Sequence, residues 1–177
     1  MSIYRTLKGY NIKSVTSDPA NTKEGQIWYN DTDNKIKVNT IKPAAWASGG
    51  NLNTNKMSLG GCGTQTAGLA FGGNAPPPTT NLTNQTEEYN GSSWAEQNNL
   101  PAATQQNTGC GTQTAALKFG GSPDAGTDEY DGTSWTAGGD MNTARYAMAG
   151  AGTQTAALAA GGHLGDNTAS NSTNSEE

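Results

Sequence analysis

The chain has 177 residues, 32% hydrophobic and 7% aromatic, with 24 glycines, which is too thin an apolar supply for one large globular core. Low charge (14%) and regularly placed Trp, Tyr and Leu exclude disorder over most of the length. The net charge of −5 is uneven: residues 1–45 hold seven Lys or Arg against four acids, residues 46–177 three against eleven, and the acidic part is a poor partner for nucleic-acid phosphates.

Met1 to Lys8 has no apolar run, so neither a signal peptide nor a membrane span is read there. Ile3, Leu7, Tyr10, Ile12 and Val15 alternate loosely with polar residues and show no strong period. That predicts an arm lying along a partner, with Tyr4, Leu7, Tyr10 and Ile12 as its partner-binding side chains. Ser17-Asp18-Pro19-Ala20-Asn21 reads as a turn. Gly25 to Asn30 reads as a strand, Asp31 to Asn34 as a turn, and Lys35 to Val38 as the returning strand, with Ile36 and Val38 on one face. A lone hairpin is marginal in water, so this one must pack on the repeats, on copies of itself or on a partner.

Repeats follow. Trp46, Trp94 and Trp135 each stand seventeen positions before a Gly-Thr-Gln-Thr-Ala block, which begins at Gly63, Gly111 and Gly152. Each block runs into a double glycine, at Gly72-Gly73, Gly120-Gly121 and Gly161-Gly162. Each unit reads as four short strands, one following the Trp and another carrying the Gly-Thr-Gln-Thr-Ala block. Asn90-Gly91 and Asp131-Gly132 are type I′ hairpin signals that set Tyr89 against Trp94 and Tyr130 against Trp135. Trp46, Trp94, Trp135, Tyr89 and Tyr130 are therefore expected as structural repeat positions, the Trp rings as core between units; sugar stacking is the other reading of the Trp residues. Cys62 and Cys110 occupy equivalent positions that Ala151 fills in the third copy, which reads as two buried free thiols; a bridge between neighbouring repeats is the alternative. The stretches Asn74 to Gln85 and Gly162 to Ser175 vary while their frames stay fixed, and they are the recognition candidates.

Chemistry-bearing patterns are sparse. His163 is the single histidine and sits in a Gly-rich loop without a nucleophile motif, so no catalytic, metal or cofactor residue is assigned. Glu87-Glu88, Asp128-Glu129 and Glu176-Glu177 have the look of a glycosidase carboxylate pair, but they recur in every unit, whereas a catalytic pair would be unique. The double glycines lack the Lys and the helix of a phosphate loop.

Two resemblances add to this. Ser17 to Asn21 followed by Glu24-Gly25-Gln26-Ile27-Trp28-Tyr29-Asn30 resembles the opening segment of structural proteins from tailed bacteriophages, marine ones especially, over residues 3–40. It implies a virion component assembled in the host cytoplasm, with other virion proteins of the tail or capsid, and copies of itself, as partners. The double glycine after an apolar strand, then Tyr, then Trp, resembles the kelch repeat, as does Asn142-Thr143-Ala144-Arg145; Lys56, Thr104 and Ala160 depart from that pattern. The resemblance implies a kelch-like β-propeller over residues 46–177. The chain reaches Glu177 where the next Tyr, turn and Trp would begin, and a propeller ring usually needs four to eight blades. An incomplete ring is therefore expected, truncated before the next blade closes, the natural chain continuing; several chains completing one ring is the alternative. The expectation is an all-β protein: a β-hairpin anchor over 1–45 for virion attachment, then kelch-like blades over 46–177. Its expected function is a non-enzymatic phage appendage of the tail-fibre or head-fibre type that recognises host-surface glycan, with neither nucleic acid nor membrane as partner. The alternatives are a carbohydrate-binding or carbohydrate-active propeller and a kelch interaction adaptor.

Overall fold

The computed structural model describes residues 4–7, 10–40, 46–79, 81–122, 126–164 and 170–177. Among them there is no helix, and the chain is all-β. It divides into two compact units, Met1–Ala47 and Ser48–Glu177.

The first unit is one sheet of β1 (Tyr4–Leu7), β2 (Tyr10–Val15), β3 (Ile27–Asn30) and β4 (Lys35–Val38), in that order. The stretch expected to be an arm is thus two strands: β1 and β2 pair antiparallel, Tyr4 opposite Lys13 and Leu7 opposite Tyr10. Strand β2 then pairs parallel with β3, Lys13 opposite Trp28, which requires the long return through residues 16–26. Its period was blurred because Ser14 sits beside Ile12 on the buried face, where an apolar residue would be expected. The Ser14 hydroxyl is satisfied by Asp31 at 2.5 Å. Strands β3 and β4 pair as read from the sequence. Asp18 ties the unit together, accepting hydrogen bonds from Trp28 Nε1 (2.9 Å), Asn30 Nδ2 (2.7 Å) and Lys37 Nζ (2.7 Å). The bond from Lys37, then those from Asn30 and Trp28, lower its pKa from 3.8 to about 2.

The second unit repeats one plan. β5 (Gly60–Thr64), β6 (Ala67–Phe71), β7 (Thr86–Tyr89) and β8 (Trp94–Gln97) form a first antiparallel repeat sheet in chain order. β9 (Thr108–Thr112), β10 (Ala115–Phe119), β11 (Thr127–Tyr130) and β12 (Trp135–Ala137) form a second. Next come β13 (Arg145–Tyr146), β14 (Ala149–Thr153), β15 (Ala156–Ala160), β16 (His163–Leu164) and β17 (Ser175–Glu176). Of these β14, β15 and β17 form the third repeat sheet, and β13 pairs with β16. The opening strands lie side by side, β9 between β5 and β14. Two glycines permit that approach. A side chain at Gly109 would meet the Phe71 ring at 2.5 Å, and one at Gly150 would meet the Phe119 ring at 2.7 Å.

Three expectations are corrected here. The Gly-Thr-Gln-Thr-Ala block is not a strand but the hairpin joining β5 to β6, β9 to β10 and β14 to β15, with Gln-Thr at its tip. The Trp does not open a sheet but starts its fourth strand, as Trp94 and Trp135 do. Among the described residues Trp46 therefore belongs to no sheet, and it is fully exposed at 104%. Nor are the Tyr–Trp turns type I′, since Gly91 and Gly132 have positive φ whereas Asn90 and Asp131 do not. The side chains explain the difference. Asn90 Oδ1 accepts from the N–H groups of Ser92 and Ser93, and Asp131 Oδ1 from those of Thr133 and Ser134. Those bonds close the turn around the Gly alone.

Candidate functional site

The joints between repeat sheets are built by recurring side chains. Gln113 reaches back from the second sheet and donates to the carbonyls of Gly68 (3.0 Å) and Tyr89 (2.8 Å) of the first. Gln154 does the same to Ala116 (3.0 Å) and Tyr130 (2.8 Å) of the second. Tyr130 OH donates to Glu88 (3.0 Å) and Trp135 Nε1 to Thr86 Oγ1 (2.9 Å) across the first joint. Phe71 meets Trp135 edge-on at 5.0 Å. Burial, then Glu88, raises the pKa of Tyr130, so it stays a donor. Trp135 is 8% exposed, while Trp94 is half-buried and donates to Gly50 O (3.1 Å). The two Trp residues hold equivalent places in their sheets without equal burial.

Each repeat also holds a charge pair, and all three cations of the repeats are used in these pairs. Lys56 lies 3.1 Å from Glu87, Lys118 3.3 Å from Asp128, and Arg145 2.7 Å from Glu176. Glu87, Asp128 and Glu176 are one repeat position, as are Lys56, Thr104 and Arg145. In the first and third sheets the cation comes from that second position, and a backbone N–H of Asn53 or Asn142 caps the carboxylate at 2.7 Å. In the second sheet the capping residue is Pro101, which has no N–H, and the cation position is Thr104. Lys118, standing where the other sheets have Ala70 and Ala159, supplies the charge instead. Burial raises the pKa of Glu87, but the bonds from Asn53, Lys56 and Thr54 outweigh it and the net shift is downward. No sequence signal had linked Lys118 to Thr104. With its cations internal, the outer surface described for the repeats carries acids alone, among them Glu96, Glu129, Asp131, Asp140 and Glu177.

One groove has no carboxylate in its lining. A cavity of about 410 Å³ is lined by Thr54, Asn55, Lys56, Ala75, Asn81, Leu82, Thr83, Asn84, Gln85 and Asn99. Six of these belong to the variable stretch Asn74 to Gln85. The amides of Asn55, Asn81 and Asn99 are exposed and carry no hydrogen bond among the described residues. Asn84 is fixed by donating to Leu100 O (3.0 Å), and Thr83 by pairing with Gln85 (3.3 Å). The other recognition candidate, Gly162 to Ser175, includes residues 165–169, which lie outside the described residues. His163 stacks on Tyr146 at 5.3 Å. Among the described residues no group of three or more His, Cys, Asp or Glu could hold a metal.

Cys62 and Cys110 are unbonded. Each lies under the next sheet's opening strand, Cys62 Sγ 3.8 Å from Thr112 O and Cys110 Sγ 3.3 Å from Thr153 O. Burial raises the pKa of the Cys62 thiol to about 12, which leaves it inert.

In the first unit, Tyr4 and Leu7 lie on β1 and Tyr10 on β2. Ile12 is buried within its own sheet and offers nothing outward. The described side chains that present apolar surface there are Ile27, Ile36 and Val38, each about half exposed on one face of β3 and β4. The opposite face holds Trp28, Lys37 and Asp18.

No protein-family model matches this chain, and no curated protein matches it in sequence.

Proposed function

We propose that this is a structural appendage protein of a tailed-phage particle that binds neutral host-surface glycan. In this reading the repeat sheets are kelch-like propeller blades, residues 1–45 are the attachment module, and the groove beside Asn81 and Asn99 is the glycan site. The observation that carries the glycan reading is the groove itself. Its polar lining is amide and hydroxyl beside the apolar Leu82 and Ala75, its one cation is paired with Glu87, and it has no carboxylate. Amides offer paired donors and acceptors, which suit vicinal hydroxyls. The acidic remainder of the surface repels polyanions, so nucleic acid and acidic polysaccharide are disfavoured partners. Three sheets built to one plan support the blade reading, and the Ile27, Ile36 and Val38 face, in the basic unit, supports the attachment reading.

The test is binding of the purified chain to neutral surface polysaccharide from candidate host cells, with gold-labelled antibody to the chain applied to particles. Asn81→Ala combined with Asn99→Ala is expected to weaken glycan binding about tenfold or more, the loss of about 1.4 kcal/mol. Wild-type affinity in that variant would remove the groove assignment, and unlabelled particles would remove the virion assignment.

A further inference from the structure

The sequence contains one Asn-Gly pair, Asn90-Gly91, at the turn between β7 and β8. Its counterpart between β11 and β12 is Asp131-Gly132. The two turns are bonded alike. Asn90 N donates to Ser93 O at 3.1 Å, and Asp131 N to Ser134 O at 3.2 Å. In each, the side-chain oxygen accepts from the backbone N–H groups two and three residues on. One repeat thus carries the amide, and the next the acid, at a single position of one turn.

Three features open the Asn90 amide to attack by the next nitrogen of the chain. First, its Oδ1 accepts hydrogen bonds from Ser92 N (3.0 Å), Ser93 N (3.0 Å) and Ser92 Oγ (2.9 Å). These fold the side chain over its own turn and draw electron density away from Cγ. Second, Gly91 has no side chain to shield its nitrogen, and its N–H donates no hydrogen bond among the described residues. Third, Asn90 to Ser93 are all exposed, so water reaches the amide and ammonia can leave.

We propose that Asn90 is a self-modification site, its side-chain amide converting to a carboxylate through a cyclic imide with Gly91. Gly91 N gives its proton to solvent and attacks Asn90 Cγ. Negative charge builds on Oδ1, where three donors already stand. The Cγ–Nδ2 bond then breaks, and the amide nitrogen takes a proton from water and departs as ammonia. Water opens the imide. Cleavage between Gly91 N and Cγ gives aspartate at position 90; cleavage at the main-chain carbonyl carbon gives isoaspartate, with one more backbone carbon in the turn. The aspartate form has the bonding that Asp131 already displays, with an ionised acceptor in place of a neutral one. Net charge moves from −5 to −6, as one neutral amide becomes one carboxylate. Asp131 itself stays unchanged. Backbone bonds from Ser134 and Thr133 hold its pKa below the usual carboxylate value, and an ionised carboxylate resists attack. The inference does not depend on the virion or glycan reading.

Peptide mass mapping and anion exchange of the purified full chain, aged in mildly alkaline buffer at physiological temperature, test it. Asn90 is expected to convert ahead of every other Asn, with ammonia released in step. Ser92→Ala removes one of the three donors and is expected to slow conversion about threefold, the worth of one exposed hydrogen bond. Ser92→Thr keeps the hydroxyl and is expected to convert at the wild-type rate, which separates loss of the donor from disturbance of the turn. Asn90→Asp is expected to elute with the converted wild type and to melt no lower than fresh protein. An intact Asn90 while other Asn residues convert, or a Ser92→Ala rate equal to wild type, would overturn the proposal. An Asn90→Asp variant that melts early would overturn the match to the Asp131 turn.

Discussion

Trp135 and Trp94 hold one repeat position in two environments. Trp135 sits inside a joint, with Phe71 at its edge and the Thr86 hydroxyl on its N–H; Trp94 rests against the connector at Gly50. Trp135→Ala is expected to cost about 3–5 kcal/mol, as truncation of a buried aromatic does, and Trp94→Ala about 1–2 kcal/mol. Urea unfolding of both variants measures the difference, and equal losses would contradict the unequal burial. The same pair marks the limit of reading by residue type. Spacing alone identified both residues as structural, but burial depends on whether another sheet covers the ring. Trp46 makes the point from the other side, since it has the right spacing and, among the described residues, no sheet around it.

At the level of the element, the charge pairs show a cation moving within the repeat while its carboxylate partner stays in place. Lys118→Ala leaves Asp128 unpaired in a buried site and is expected to cost about 3–5 kcal/mol. Adding Thr104→Lys rebuilds the arrangement of the first and third sheets, and the double variant is expected to recover part of that loss. Recovery stays partial because Asp128 is one methylene shorter than Glu87 and Pro101 gives it no N–H. A double variant no more stable than Lys118→Ala by thermal unfolding would refute the equivalence. Much of each element was legible beforehand: the β3–β4 hairpin, the Tyr–Trp turns and the three-fold repeat all follow from local pattern. The phase of the repeat was not, because Gly-Thr-Gln-Thr-Ala has the residues of a strand and of a turn alike, and only pairing decides between them. Non-local features were hidden for the same reason. The parallel pairing of β2 with β3 and the link between Lys118 and Thr104 bring together residues whose separation in the chain carries no signal.

At the scale of the whole molecule, the two units differ in how they hold their positive charge. Lys13, Lys23 and Lys35 of the first unit are solvent-facing, whereas Lys56, Lys118 and Arg145 are the only basic residues after position 45, and every one is buried. A trypsin-type protease cuts only beside Lys or Arg and needs the bond presented in an open backbone. It finds such bonds in the first unit and, in the second, only where the interior has opened. Brief trypsin treatment is therefore expected to trim the first unit and leave a single fragment carrying residues 48–177, with slow loss of that fragment tracking its opening free energy. Mass spectrometry of the digest checks this, and equally rapid cleavage after Lys56, Lys118 or Arg145 would contradict it. Placing every cation inside the fold thus leaves 130 residues with no site for such a protease while the fold stays closed.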